Sequence, residues 1–381
     1  MSILLRNGRA LLADGTLNET DILIADGLIR EIAPGQAAGP GTEIRDMGGL
    51  TLLPGIVDLH GDAFERQIMP RPKVSFPIDM ALIDTDRQLI ANGITTAFYG
   101  LTYSWEPGLR GRDAAFAFMA AVKRLRPIFL SDARVHLRQE VYNTEGEGDV
   151  LAWLEAGEID LLALNDHLDM ILRDCKTPEK LGRYAGRANV STEAFGALLD
   201  QVAGRRAAVP ESVRRLAALA RARGVAMASH DDDTPDLQHH HADLGCRLCE
   251  FPLNRETAEA ARGRDNAILL GAPNVVRGGS HTSGPSAAEM VRDGLCTVLT
   301  SDYYYPALLH AAFRLVREGI CDLGAAWALV STNPARLTGL DDRGVLAPGK
   351  RADIIAVVAD ETLPRIAAVF AGGRPVLDTG R

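Results

Sequence analysis

Apolar positions fall into two rhythms along this chain. Over residues 1–53 they come as short runs: Ile3-Leu4-Leu5, Ala10-Leu11-Leu12, Asp21-Ile22-Leu23-Ile24 and Leu28-Ile29-Arg30-Glu31-Ile32. Asn7-Gly8, Asp14-Gly15 and Asp26-Gly27 separate them. These pairs predict strands joined by tight hairpins, because such residues accept positive φ at low cost. Residues 344–381 read the same way, with Ile354-Ile355-Ala356-Val357-Val358, Ala367-Ala368-Val369-Phe370 and a Gly372-Gly373 turn. Two β-rich ends around a long middle predict one small β-sandwich domain assembled from residues 1–53 and 344–381.

The middle, residues 54–343, alternates apolar runs with helical patterns, the signature of parallel strands with crossover helices. Eight strand candidates stand out, at 55–60, 94–99, 134–140, 159–166, 225–230, 245–251, 267–273 and 296–302. Eight such units make a (β/α)8 TIM-like barrel. The apolar pattern of 245–251 is short and mixed. The stretch 177–223 is long enough to hide a further element, and its Ala/Arg-rich part, 203–223, reads as a solvated helix.

Composition adds bounds. With 381 residues, 46% hydrophobic and 24% charged, and mean hydropathy near zero, this is an ordinary globular protein. It has no apolar run long enough for a membrane span, and Met1–Gly8 lacks a signal peptide's core. Five cysteines without a framework point to a reducing cytoplasm. A net charge of −9 argues against nucleic acid as a partner. It leaves room for a phosphorylated small molecule, since anions need only local positive charge.

Active-site groups of such barrels sit at the C-terminal strand ends, and here those ends are rich in ligand types. Strand one ends in His60-Gly61-Asp62, whose i, i+2 spacing places both side chains on one face. The third ends in Glu140, the fourth in Asn165-Asp166-His167, the fifth in His230 and the eighth in Asp302. Each alone has an ordinary explanation as a surface carboxylate or a core histidine. Six at strand ends predict convergence on one or two divalent ions, zinc first, with manganese or iron also suited to such nitrogen and oxygen donors. Two basic groups flank these ligands. Arg66, Arg71 and Lys73 follow the first strand, and Gly271-Ala272-Pro273-Asn274-Val275-Val276-Arg277-Gly278-Gly279-Ser280-His281 reads as a Gly-rich loop after the seventh. Asn274, Arg277 and His281 would cradle phosphate there. Cys246-x-x-Cys249 with His239-His240-His241 fits a structural zinc site poorly, because the ligand pairs lack the usual spacing.

The opening Pro54-Gly55-Ile56-Val57-Asp58-Leu59-His60-Gly61-Asp62 and the closing Gly344-Val345-Leu346-Ala347-Pro348-Gly349-Lys350-Arg351-Ala352-Asp353 resemble the amidohydrolase superfamily over essentially the whole chain. Asp62 stands where the usual second histidine would be. That departure, with His60-Gly61-Asp62-Ala63-Phe64-Glu65-Arg66 and Pro70-Arg71-Pro72, is similar to one branch, which hydrolyses the triphosphate of a ribose 1-phosphonate in carbon–phosphorus metabolism. The resemblance implies that Glu140 bridges two metals and that Asp302 takes the proton of the attacking, metal-activated water. It also implies that Asp231, in Ser229-His230-Asp231-Asp232, is a substrate or supporting residue. The superfamily commonly carries its two later histidines one strand further along, which would make this strand count one short. Best-known members of the branch follow Asp-His with Thr-Pro-Gly-Gln, whereas this chain reads Leu168-Asp169-Met170-Ile171.

The expected function is therefore a metal-dependent diphosphatase on a phosphorylated sugar. The alternatives are a hydrolase of a cyclic amide, N-acyl or amino-substituted ring and, from another class, a non-catalytic assembly protein. The sequence leaves the oligomeric state open, a homo-oligomer included.

Overall fold

The computed structural model describes residues 2–71, 74–280, 284–360 and 363–380. Strands β1 (Ser2–Leu11), β2 (Leu17–Ala25), β3 (Leu28–Ala33), β4 (Glu43–Asp46) and β5 (Thr51–Pro54) come from the first end. Strands β14 (Ile354–Val358), β15 (Arg365–Ala371) and β16 (Arg374–Asp378) come from the other. All eight join one sheet in the order β16-β15-β14-β5-β1-β2-β3, with β4 also on β1, and they form a domain separate from the barrel. Ile3, Leu5, Ile22, Ile24, Leu52, Ile354 and Phe370 share its core. Asp26-Gly27 and Gly372-Gly373 are two-residue hairpins with positive φ at both positions, as the twist of the flanking strands requires. Asn7-Gly8, expected to be a hairpin, is instead a bulge inside one continuous strand. Asn7 has φ 61°, and a Cβ on Gly8 would come within 2.6 Å of Leu52. The bulge lets β1 pair with β4 through Ile3–Arg6 and with β5 through Arg9 and Ala10.

The barrel holds β6 (Ile56–Gly61), β7 (Ile94–Tyr103), β8 (Asp132–Glu140), β9 (Leu161–Asn165), β10 (Ala226–His230), β11 (Leu248–Glu250), β12 (Ala267–Gly271) and β13 (Val298–Thr300). All eight candidates are present, and they pair in chain order. His167 thus follows the fourth barrel strand and His230 the fifth, so the count was not one short. The stretch 177–223 holds three helices and no strand: Pro178–Ala188, Thr192–Ala203 and Val209–Ala222. The last was read as solvated. It buries Val213, Leu216, Ala217 and Ala220, because its small and apolar residues recur at helical spacing on one face.

First and last strands meet at the level of the candidate ligands. Gly61 and Asp302 form a bridge, with Asp302 N donating to the His60 carbonyl at 2.8 Å and Asp62 N to the Asp302 carbonyl at 2.9 Å. Below them the buried Asp58 carboxylate accepts from Ser301 N at 3.0 Å and Ser301 Oγ at 2.5 Å. Gly55, where the chain enters the barrel, is compulsory. A Cβ there would lie 2.1 Å from Thr95 Oγ1, and its N–H donates to the Asp353 carbonyl of the closing motif at 2.9 Å. Among the described residues no helix is long and apolar enough to cross a membrane.

Candidate active site

Inward positions recur every second residue on a strand, and in this barrel they change character along its axis. Val57, Leu59, Leu161, Ala163, Ala228, Leu248 and Leu269 fill the bottom. Register extends the same rows upward, pairing His136 with Leu161, Arg138 with Ala163 and Glu140 with Asn165, and His230 with Glu250. The top layer is therefore polar because the strands' last inward residues are. At β6 the rule bends. Between Asp58 and Gly61 it spends three residues where β7 spends two, an extra residue that re-aims His60 and Asp62. Asp231, Phe251 and Asp302, each just beyond a strand, have φ of 57°, 51° and 54°. A left-handed backbone costs most residues energy and concentrates at functional sites.

Above this layer lies a cavity of about 620 Å³, lined among others by His60, Arg138, His167, His230, Asp231 and Asp302. Among the described residues, ligand atoms form three groups within 4.8 Å of one another: His60 with Asp62 and Asp302, His167 with His230 and Asp231, and His60 again with the fully buried His136 and Glu250. The His60 and His230 rings are 5.6 Å apart, and those of His167 and His230 5.4 Å. Glu140 stands beside the second group, 2.5 Å from His167 Nδ1. The structure thus brings together all six expected ligand candidates, and it adds Asp231, whose Oδ2 is 3.2 Å from His167 Nε2.

The electrostatics follow from crowded carboxylates. Burial and the nearby Asp62 charge push Asp302 up to about 7, against the pull of Arg138. Burial works against the imidazolium of His167, but Glu140 and Asp231 on either side outweigh it and raise the ring to about 10. Asp231 is held well below the usual carboxylate range, since His230 and His167 overcome its burial. His60 goes the other way: burial, then Arg138 and His230, hold it well below the ordinary imidazole value.

Arg138 escaped the sequence reading. Only 8% of its side chain is exposed; Nη1 donates to Asp62 Oδ2 at 3.2 Å and Nη2 to His230 Nε2 at 3.2 Å. It touches Asp62 of the first group and His230 of the second. The signal was present as the row His136, Arg138, Glu140, which puts three ionisable residues on one strand face. Of the expected basic residues, Arg66, Arg71 and Arg277 stand outside the cavity lining. Arg66 is exposed and donates to the Tyr303 carbonyl, and Arg277 is exposed with Nη1 3.5 Å from the Tyr303 hydroxyl. Arg71 is exposed too, and Lys73 and His281 lie outside the described residues. None of Arg66, Arg71 and Arg277 is among the cavity-lining residues, whereas Tyr303 is. The expected Gly-rich loop begins as a helix, Ala272–Arg277, which carries Arg277 to its last turn and outward. Asn274 lines the cavity and clamps the following segment, donating to the Pro285 carbonyl and accepting from Ala287 N, both at 3.0 Å. Residues after His167 form the helix Leu168–Asp174, whose Arg173 lines the cavity wall. The Cys246 and Cys249 thiols are buried and free. Cys249 is 3.7 Å from the Asp232 carboxylate, which also accepts from His241 at 2.8 Å.

A barrel with imidazoles and carboxylates gathered at its C-terminal mouth, accompanied by a sheet built from both termini, defines a class that sequence comparison also finds. Residues 215–376 match the amidohydrolase family model, and the chain belongs to the amidohydrolase superfamily of metal-dependent hydrolases. It is 31% identical over 376 residues to the alpha-D-ribose 1-methylphosphonate 5-triphosphate diphosphatase of Escherichia coli (strain K12), covering 97% of this chain and 99% of that one. It is 22% identical to a dihydroorotase of Geobacter sp. (strain M21), over 94% of this chain and 89% of that one. Among solved structures, a beta-aspartyl dipeptidase of Fervidobacterium islandicum AW-1 superposes with a TM-score of 0.69 at 16% identity, covering 100% of this chain and 97% of that one. That likeness shows the fold alone.

Proposed function

We propose that this chain is a diphosphatase acting on alpha-D-ribose 1-methylphosphonate 5-triphosphate, releasing the 5-phosphate and pyrophosphate in phosphonate breakdown. The observation that carries the reading is the 31% identity to a diphosphatase of that substrate from end to end of both chains. The donor set fits divalent metal. His60, Asp62 and Asp302 would hold one ion, and His167 and His230, with Glu140 beside them, a second; zinc suits these donors best, manganese or iron next. When bound, such ions acidify water and screen phosphoryl charge. Asp302 accepts the proton of the attacking water. Oxygen bonds to the α-phosphorus as the bond to the β-bridging oxygen breaks, and pyrophosphate leaves with that oxygen. Arg138, on the cavity floor, faces the α-phosphoryl oxygens as charge builds on them. Arg173 meets an anionic group further out, and Arg66 and Arg277 brace Tyr303 at the mouth. The five cysteines, all free, accord with the cytoplasm, where we place the enzyme.

A second reading keeps the fold and changes the chemistry. Among the described residues, Asp166, Asp169, Asp231, Asp233 and Asp302 line the cavity beside two arginines, Arg138 and Arg173, which favours a neutral or cationic amide. An end-point assay separates the two. Metal-loaded protein incubated with the ribose triphosphate, with nucleoside triphosphates and with cyclic amides should yield pyrophosphate from the first. A new carboxylate from an amide, with no pyrophosphate, gives the site to the second reading.

His167 carries a pH signature. Its pKa in the folded, metal-free chain is about 10, above the ordinary 6.5. The stabilisation this adds is complete below pH ~6.5 and is lost as pH rises through about 10. Chelator-stripped protein should therefore lose melting temperature over that window, and His167→Gln should lose less. A metal must displace the same proton. Titration calorimetry at pH ~8 in buffers of different ionisation enthalpy should show about one proton released per chain on metal uptake. No proton release would contradict His167 as a ligand.

A further inference from the structure

Among the fully buried ionisable residues to which the proposed chemistry gives no part are Glu250 at the top of β11 and His136 on β8. Neither lines the cavity, and both turn toward His60. Glu250 Oε2 is 3.3 Å from His60 Nδ1 and 3.6 Å from His136 Nε2. His136 is fixed in turn, its Nδ1 donating to the carbonyl of Leu59 at 2.9 Å, the residue before His60. Its ring meets that of His60 edge-on, with centroids 5.1 Å apart at 83°. Phe251 does the same from another side, at 5.0 Å and 80°. Burying a carboxylate is expensive unless it is paired, yet among the described residues Glu250 Oε1 has no hydrogen-bond partner.

We infer that Glu250 is the positioning residue of the metal centre: it takes the Nδ1 hydrogen of His60, so that Nε2 carries the lone pair toward Asp62 and Asp302, while His136 and Phe251 hold the ring's plane. This rests on His60 as a metal ligand. The physical reason is tautomeric. At 3.3 Å, Glu250 Oε2 is within hydrogen-bond distance of His60 Nδ1 and accepts its hydrogen, whereas His136 Nε2, at 3.6 Å, is beyond that distance and the His136 hydrogen goes to Leu59. A histidine ligates a metal as the neutral ring, so the other nitrogen is bare. A carboxylate behind a ligating histidine fixes its tautomer and raises its basicity, and its loss typically weakens metal binding 10–100-fold. Glu250 does this across 190 residues of sequence, from a strand of three residues.

The test has two parts. In metal-free protein carrying nitrogen-15 histidine, two-bond nitrogen–proton correlation spectra, with His60 assigned from a His60→Gln variant, report the tautomer directly. The Nδ1–H form is expected in the unmodified chain, and a mixture in Glu250→Gln. An Nε2–H His60 in the unmodified chain overturns the inference. Separately, competition against a chromophoric chelator should show zinc held about 10-fold more weakly by Glu250→Gln and up to about 100-fold more weakly by Glu250→Leu. Glu250→Gln keeps the side chain's shape, so unchanged zinc affinity in that folded variant also overturns it. If His60→Gln itself binds zinc as tightly as the parent, the ligand reading beneath the inference falls. The tautomer spectra need no metal, and they separate that failure from the failure of Glu250's role.

Discussion

Asp302→Asn should lower turnover by about 10²–10⁴-fold, the range for loss of a general base. The side chain sits where the barrel closes. Its backbone is bonded to both His60 and Asp62, and its left-handed φ of 54° fixes the direction of departure from β13. Burial and Asp62 raise its pKa to about 7, near the optimum for taking and returning a proton at neutral pH. Asparagine keeps the size and tolerates the left-handed backbone, but it cannot accept the proton. Because Asp302 also belongs to a ligand group, bound metal must be measured on the same preparation. Turnover should stay low when the variant is loaded to the parent's metal content. Recovery of full rate on reloading would reduce Asp302 to a ligand.

Arg138→Met should cost about 10²–10³-fold in kcat, as for removal of a donor to a charge that grows in the transition state. The guanidinium is buried on the cavity floor and joins Asp62 to His230. Phosphoryl transfer depends mainly on positioning and on neutralising equatorial oxygens, and a desolvated arginine does both with a rigid fork of donors. Methionine fills similar space without charge. The loss should fall on kcat more than on KM. Arg277→Ala, at an exposed side chain outside the cavity, should lose less than about tenfold, because rim charges in water are screened. Steady-state pyrophosphate release by the two variants checks the contrast. Equal losses would place the substrate at the rim.

How much of this was legible beforehand follows from what each signal depends on. The eight barrel strands showed because apolar runs and helical spacing are local properties. Even 245–251, short and mixed, holds a strand, cut to Leu248–Glu250. The ligand candidates showed because a barrel maps strand ends onto one face. Asn7-Gly8 misled because positive φ serves a bulge as well as a hairpin. Helix 209–222 misled because its arginines concealed an apolar stripe. Arg138, His136 and Glu250 were hidden for a different reason. A charged residue inside a strand reads as outward-facing until register shows which side is the barrel's inside. Arg66 and Arg277 failed to reach the cavity because proximity in sequence to a ligand says nothing about direction. A turn of helix leaves Arg277 exposed at the Tyr303 hydroxyl, outside the cavity lining.

The most direct measurement is hydrolysis of alpha-D-ribose 1-methylphosphonate 5-triphosphate in oxygen-18-labelled water, followed by phosphorus NMR. The account predicts two products, the 5-phosphate carrying the label and unlabelled pyrophosphate, since water attacks the α-phosphorus above Arg138 and beside Asp302. Label in pyrophosphate, or orthophosphate in its place, would put the attack at another phosphorus, and an untouched triphosphate would contradict the diphosphatase altogether.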